Sequence, residues 1–239
     1  MKLMAAGDQV LVAEFGDRID EAVNDQVHAL AAKIEEQQIP GIGEVVPTFR
    51  SLLIYYDSYQ LSYREAADRI GELARNLKAE EKTKKRILKI PCCYGARFGP
   101  DLADMEQLTG LDRKEMIDIH SSVDYKVYML GFLPGFAYLG GLDERIHTPR
   151  LANPRIKIPA GSVGIGGSQT GIYPLDSPGG WQLLGLTPVK TYDPERENPI
   201  LFEAGDYIRF VPVSEEEYLK IKEQVENGTY ECVVYTKEV

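Results

Sequence analysis

Apolar positions follow two different periods along the chain, and the change of period divides the molecule. Val10-Leu11-Val12-Ala13-Glu14-Phe15 reads as a strand, whereas Ile19, Val23, Val27, Leu30, Ala31 and Ile34 recur at the spacing of one helix face across residues 19–38. Ile39-Pro40-Gly41 ends that helix, because proline cannot continue it and glycine takes up the turn. Two strands are predicted next, around residues 43–47 and 51–56. Ser62 then opens a second helix with Glu65 three residues on, the spacing at which each side chain meets the other's backbone N–H, and Ala66, Ile70, Leu73 and Leu77 line one face. The order strand, helix, strand, strand, helix predicts a small α+β layer with its helices on one face of a sheet.

The pattern then lapses. Lys78-Ala-Glu-Glu-Lys-Thr-Lys-Lys-Arg86 carries charge without an apolar stripe and reads as a helix end running into a solvated linker. The boundary is placed near residue 85, giving domains 1–85 and 86–239. The second part opens with a strand at residues 86–93 and two short helices. Asp101 is placed as the cap of the first, Gly110 as its end, and Asp112 with Glu115 as the capping pair of the next. Helix, glycine turn, helix is also the outline of a DNA-reading motif, but Asp112, Glu115 and Asp118 on the would-be reading helix repel phosphates. From Tyr125 onward strands alternate with Gly/Pro turns. The predicted elements are a strand at residues 125–132, a long glycine-rich region, strands across residues 198–213 split at Gly205-Asp206, a helix from Ser214 to Asn227-Gly228, and a last strand at 230–236. This part reads as a β-barrel or sandwich.

Composition narrows the function classes. With 44% hydrophobic and 27% charged residues among 239, the chain is globular, and its net charge of −10 repels phosphate backbones and anionic lipid. No nucleic acid and no membrane is expected as a partner. No apolar run approaches the roughly 18–20 residues of a bilayer span, and Asp8 and Glu14 interrupt the apolar start. Three cysteines, two of them adjacent, cannot frame a disulfide scaffold and suit a reducing compartment, so the expected location is the cytoplasm. The three histidines show no ligand-like spacing, and no metal is expected.

The densest unusual segment is Pro159-Ala-Gly-Ser-Val-Gly-Ile-Gly-Gly-Ser-Gln-Thr-Gly-Ile-Tyr-Pro174, followed by Ser177-Pro-Gly-Gly-Trp181. Its glycines, Gly166 and Gly167 among them, either let backbone N–H groups converge on an anion or serve turns at barrel corners. No Lys-Ser or Lys-Thr follows them and no helix opens after them, so this is not an ATP phosphate loop. Upstream, Arg150, Arg155 and Lys157 form a cationic cluster suited to a carboxylate or phosphate, or else a solvated edge. Gln169, Thr170 and Tyr173 add groups that orient a polar substrate. His120 closes the second short helix, where the dipole favours a cationic ring; a proton-transfer role requires it to reach a pocket. No Gly-x-Ser-x-Gly elbow is present, and Cys92 and Cys93 read as buried strand residues rather than nucleophiles.

Several motifs in order, residues Pro91–Leu102, Glu115–His120, Gly131–Gly140 and Pro159–Trp181, closely resemble the family of 5-oxoprolinase B subunits. That family includes Kip-type inhibitors of a sporulation histidine kinase and proteins formerly called allophanate hydrolase subunit 1. The resemblance implies a small α/β N-terminal domain followed by a cyclophilin-like β-barrel of carboxyltransferase type. It also implies partners, the C and A subunits of 5-oxoprolinase, with which the B subunit opens 5-oxo-L-proline to L-glutamate. ATP is then used by the assembled complex, and the isolated chain is expected to be inactive. In that setting Arg155, with Lys157 beside it, is expected on an anion, Gln169 and Thr170 on the amide, and His120 as a proton carrier. Two alternatives stand beside it. One is a carboxyltransferase subunit related to urea carboxylase and allophanate hydrolase. The other is a kinase inhibitor that docks on a histidine kinase through an apolar surface of Phe132, Phe136 and Tyr138. Limited proteolysis is expected to cut first within residues 78–86, and a first cut inside residues 130–180 with that segment intact contradicts the division.

Overall fold

A computed structural model describes residues 1–77 and 84–238. The chain forms two units, Met1–Lys82 and Thr83–Val239. Residues 78–83 of the expected linker lie outside the described residues.

The first unit contains β1 (Lys2–Ala5), β2 (Val10–Glu14), α1 (Glu21–Gln37), β3 (Ile42–Pro47), β4 (Ser51–Tyr56) and α2 (Tyr63–Arg75). Its sheet runs in the order β1-β2-β4-β3 with every neighbour antiparallel. Alternation along the strands turns Leu11, Ala13, Leu52, Ile54 and Tyr56 inward, where they meet Val27, Leu30, Ala31 and Ile34 of α1 and Ala66 and Ile70 of α2. Both helix starts are capped, the second by the pair that the sequence predicts and the first by Asp20, which it did not single out. The Asp20 carboxylate accepts from the Val23 N–H at 3.1 Å, and Ser62 and Glu65 form the reciprocal box, each worth about 1 kcal/mol. Strand β1 is an addition to the predicted order. At four residues it is too short to show a period, and its pairing, from Lys2 opposite Glu14 to Ala5 opposite Leu11, supplies the reason it forms.

The second unit contains β5 (Lys84–Tyr94), α3 (Leu102–Thr109), α4 (Arg113–Ser121), β6 (Tyr125–Leu130), β7 (Ala137–Gly140), β8 (Arg155–Ile158), β9 (Ser162–Gly166), β10 (Gln169–Ile172), β11 (Ser177–Gly179), β12 (Gln182–Leu186), β13 (Tyr207–Pro212), α5 (Glu215–Glu226) and β14 (Val233–Glu238). Seven strands in the order β12-β9-β10-β7-β6-β13-β5 close into a barrel when β5 pairs back to β12. β5 is long enough to serve three partners. One edge carries β13 in parallel, while the other is divided between β14 along Lys84–Lys89 and β12 at Cys93 and Tyr94. The interior is filled by Leu88, Ile90, Val127, Leu139, Val163, Ile165, Ile172, Leu184 and Phe210, and Leu102, Met105, Met116 and Ile119 of α3 and α4 join the same core.

Two predicted strands differ. Residues 198–204 form no strand; one isolated bridge joins Tyr192 to Ile200, and the apolar run is accounted for by Phe202 entering the core from a loop. The last strand begins at Val233 rather than at residue 230. Among the described residues no helix is long and apolar enough to cross a membrane.

Candidate functional site

The glycine-rich run becomes the β9–β10 hairpin, turned at Gly167 in the left-handed region with φ 69°. Val163, Ile165, Thr170 and Ile172 point into the barrel, which leaves Gly164, Gly166 and Gly171 on its outer face. Trp181 fills the space left by their missing side chains. A Cβ on Gly166 would lie 2.4 Å from the indole Nε1, one on Gly171 3.1 Å from Cζ3, and one on Gly164 3.3 Å from the Trp181 Cβ. These glycines therefore neither cradle an anion nor merely turn corners; they seat one ring. Phe136, Ile158, Tyr173 and Leu183 pack around it. Phe136 meets Trp181 edge-on at 5.6 Å and Tyr173 edge-on at 5.5 Å, the arrangement favoured by the ring quadrupoles.

A segment without regular structure, residues 148–151, runs beside this cluster. Leu151 N donates to Gly180 O at 2.6 Å, Gly167 N to Thr148 O at 2.8 Å, and Gln182 Nε2 to Pro149 O at 3.2 Å. These bonds place Arg150 with its guanidinium carbon 5.9 Å from the centre of the Trp181 ring. Around the hairpin, Thr148 Oγ1, Gln169 Nε2 and Gln182 Oε1 are enclosed and have no hydrogen-bond partner.

The three cations of the sequence cluster are thus in different circumstances. Arg155 donates to Asp101 Oδ1 at 2.5 Å and to Trp181 O at 3.4 Å. The second Asp101 oxygen accepts from Leu183 N at 2.6 Å. Asp101 stands at the start of α3, yet its carboxylate makes no capping bond, because β8 and β12 claim it. Lys157 pairs with Asp176 at 2.7 Å on the surface. Arg155 is held by the enclosed Asp101 carboxylate, whereas Lys157 is in a surface pair with its side chain 70% exposed. Arg150 forms no ion pair among the described residues.

His120 has no exposed surface. Its Nδ1 lies 2.8 Å from the Tyr94 hydroxyl and its Nε2 2.8 Å from Thr170 Oγ1, which in turn donates to Gly164 O at 3.1 Å. Because the Thr170 proton goes to the carbonyl, the hydroxyl accepts from Nε2–H, and Nδ1 accepts from Tyr94. That assignment makes the ring neutral. Burial also pushes its pKa down, to about 3, so His120 is not the cationic helix end the dipole favours but a post joining α4, β5 and β10. The expected apolar docking surface is also altered: Phe136 is 2% exposed at the centre of the aromatic cluster, Tyr138 is half-buried, and Phe132 alone is open. Tyr173 and Thr170 are buried as well, Tyr173 against Trp181 and Thr170 under His120.

Sequence reasoning placed Trp181 at the end of the glycine-rich segment and Asp101 as a helix cap, but gave neither of them, nor Tyr94, a role at the site. The available signal was the spacing of Gly164 and Gly166, which share one strand face, followed by a lone tryptophan after Gly179-Gly180.

A seven-stranded barrel with this aromatic outer face places the chain among carboxyltransferase-type domains: the family described as carboxyltransferase domain, subdomain C and D, matches residues 1–202. The chain is 45% identical to the 5-oxoprolinase B subunit of Bacillus subtilis, with 91% of this chain and 95% of that one covered. It is 41% identical to the 5-oxoprolinase B subunit of Escherichia coli O157:H7, with 87% and 94% covered. The structure of the K. lactis urea amidolyase superposes on 98% of this chain with a TM-score of 0.82; it is 24% identical, 16% of its length is covered, and it shares the fold. The chain belongs to the family of 5-oxoprolinase B subunits, whose barrel is cyclophilin-like.

Two outcomes follow from the polar posts. Arg155→Ala is expected to lower folding stability by about 2 kcal/mol in denaturant unfolding, since it strands the enclosed Asp101 carboxylate with one remaining donor, and Arg155→Lys to recover only part. For His120, the unfolded ring takes up a proton below about pH 6.5 while the folded ring does not, so the folded state loses stability as pH falls. The loss is expected to reach about 2 kcal/mol at pH 5 relative to pH 7 and to be absent in His120→Asn, measured by unfolding at each pH.

Proposed function

We propose that this chain serves as the B subunit of an ATP-dependent 5-oxoprolinase, working with the C and A subunits to open 5-oxo-L-proline to L-glutamate. The observation that carries this reading is the likeness to the two bacterial proteins, which runs nearly end to end on both sides. Each relative is named as a subunit, which implies further chains in its assembly.

The chemistry asks for two things. The lactam carbonyl must be activated before water attacks it, and the substrate must be held while that happens. Activation uses ATP in the assembled enzyme. Among the described residues, the glycine run that most resembles a phosphate cradle does not fit ATP, because an indole ring fills it and the nearby Arg155 is held by Asp101. ATP is therefore assigned to the partner subunits, and this chain to holding and orienting the lactam. Its buried, neutral His120 supports a structural role over that of a proton carrier.

Reconstitution tests the reading. Purified chain with the C and A subunits is expected to release glutamate from 5-oxo-L-proline in the presence of ATP, and any one component omitted is expected to abolish release. Turnover by this chain alone, or none from the complete mixture, contradicts it.

A further inference from the structure

We propose that Arg150, mounted on Trp181 and sharing the barrel's outer face with Gln169, is the docking point for the substrate's carboxylate. That the carboxylate is the one on 5-oxo-L-proline rests on the 5-oxoprolinase reading above; the site itself rests on the geometry.

A chain with 37 acidic and 27 basic residues has carboxylates to spare, and the neighbouring cations Arg155 and Lys157 have each taken one. Arg150 has taken none. It is exposed, yet it is not left to wander: the backbone bonds of Leu151 and Thr148 fix its segment on both sides, and the face of Trp181 attracts the guanidinium. A cation–π contact of this kind is worth roughly 0.5–1 kcal/mol at an exposed site. The guanidinium carbon lies 5.9 Å from the ring centre and the group pairs with no carboxylate among the described residues, so its N–H groups remain available to a carboxylate through two parallel hydrogen bonds.

Gln169 supplies the second group. It pairs with Gly166 across the hairpin, so its side chain rises on the same outer face as the indole; the residue is half-buried and its Nε2 is enclosed without a partner. An enclosed amide donor with nothing to bind carries a cost of about 1–3 kcal/mol, which is relieved when the amide turns outward to a ligand carbonyl. A guanidinium for a carboxylate and an amide N–H for a carbonyl are the two features a lactam acid presents. The aromatic cluster behind them is rigid, since Trp181 is locked onto three glycines, so the guanidinium is positioned before the ligand arrives.

Trp181 is the only tryptophan in the sequence, and its fluorescence reports on this place alone. The full chain is titrated with 5-oxo-L-proline, with 2-pyrrolidinone, which is the same lactam without the carboxylate, and with inorganic phosphate. The expected result is a saturable change with 5-oxo-L-proline, binding of 2-pyrrolidinone weaker by about tenfold or more, and loss of that discrimination in Arg150→Ala. In the assembled enzyme Arg150→Ala is expected to raise KM for 5-oxo-L-proline by about tenfold, with the melting temperature lowered by no more than about 2–4 °C and assembly of the complex retained, and Arg150→Lys to recover part of the loss. Equal binding of the two lactams, preference for phosphate, or an unchanged KM in Arg150→Ala overturns the assignment, as does a silent titration of an enzyme without turnover. An inactive wild-type assembly removes the 5-oxoprolinase reading, while a carboxylate response of Trp181 that depends on Arg150 still upholds the site.

Discussion

One indole ring lying on three absent side chains governs the outer face of the barrel. Trp181 reaches its place only because Gly164, Gly166 and Gly171 bring the backbone of β9 and β10 directly under it; a single added methyl on Gly166 would overlap the ring nitrogen. Once there, the ring serves as the packing centre for Phe136, Tyr173, Ile158 and Leu183, and its carbonyl receives Arg155. The residues on either side of it hold the neighbouring loop, Gly180 through Leu151 and Gln182 through Pro149. Cluster, loop and the cation on the loop all take their positions from the glycine floor. Overpacking at such a contact costs typically 1–3 kcal/mol, and here the displaced group would be a buried ring with little freedom to give way.

Two polar connections reinforce that arrangement from the inner side and the end of the barrel. Asp101 joins the start of α3 to β8 and β12, using one oxygen for a guanidinium and the other for a backbone N–H. His120 joins α4 to β5 and β10 through Tyr94 and Thr170. Both are enclosed, and a buried polar group is tolerable only when its hydrogen bonds are made. For Asp101 the Arg155 guanidinium and the Leu183 N–H supply those bonds. For His120 the ring stays neutral, stacked on Phe210 at 4.6 Å, and the fixed direction of the Thr170 hydroxyl selects its tautomer.

Much of the architecture was legible from local signals. The helix at residues 21–37, the box at Ser62 and Glu65 and the strands at 42–47 and 51–56 were written in periodicity and caps, which depend on neighbours a few residues away. Features that depend on distant partners were not. Lys2–Ala5 is a strand because β2 is beside it, and Phe202 is buried from a loop although its apolar run resembles a strand. The candidate site divides in the same way. That Arg150, Arg155 and Lys157 cluster was visible, but which of them keeps its charge available depends on Asp101 and Asp176, the first 54 residues away in sequence from Arg155. The glycines were conspicuous as a composition, while their purpose required knowing which side of a hairpin each one faces.

The same distinction bears on what this chain contributes to a reaction. Its chemically capable groups have been turned inward: burial raises the Cys92 thiol far above its ordinary value, raises Cys93 as well, and lowers His120. A thiol held protonated is a poor nucleophile, and an imidazole with both nitrogens engaged and no exposed surface has no proton to exchange with a ligand. Beside the glycine hairpin the outer face carries the exposed guanidinium of Arg150 and, behind it, the aromatic cluster around Trp181. Groups of that kind can recognise and orient a small polar molecule without changing its bonds, which is the share of the reaction that the proposed function gives to this chain.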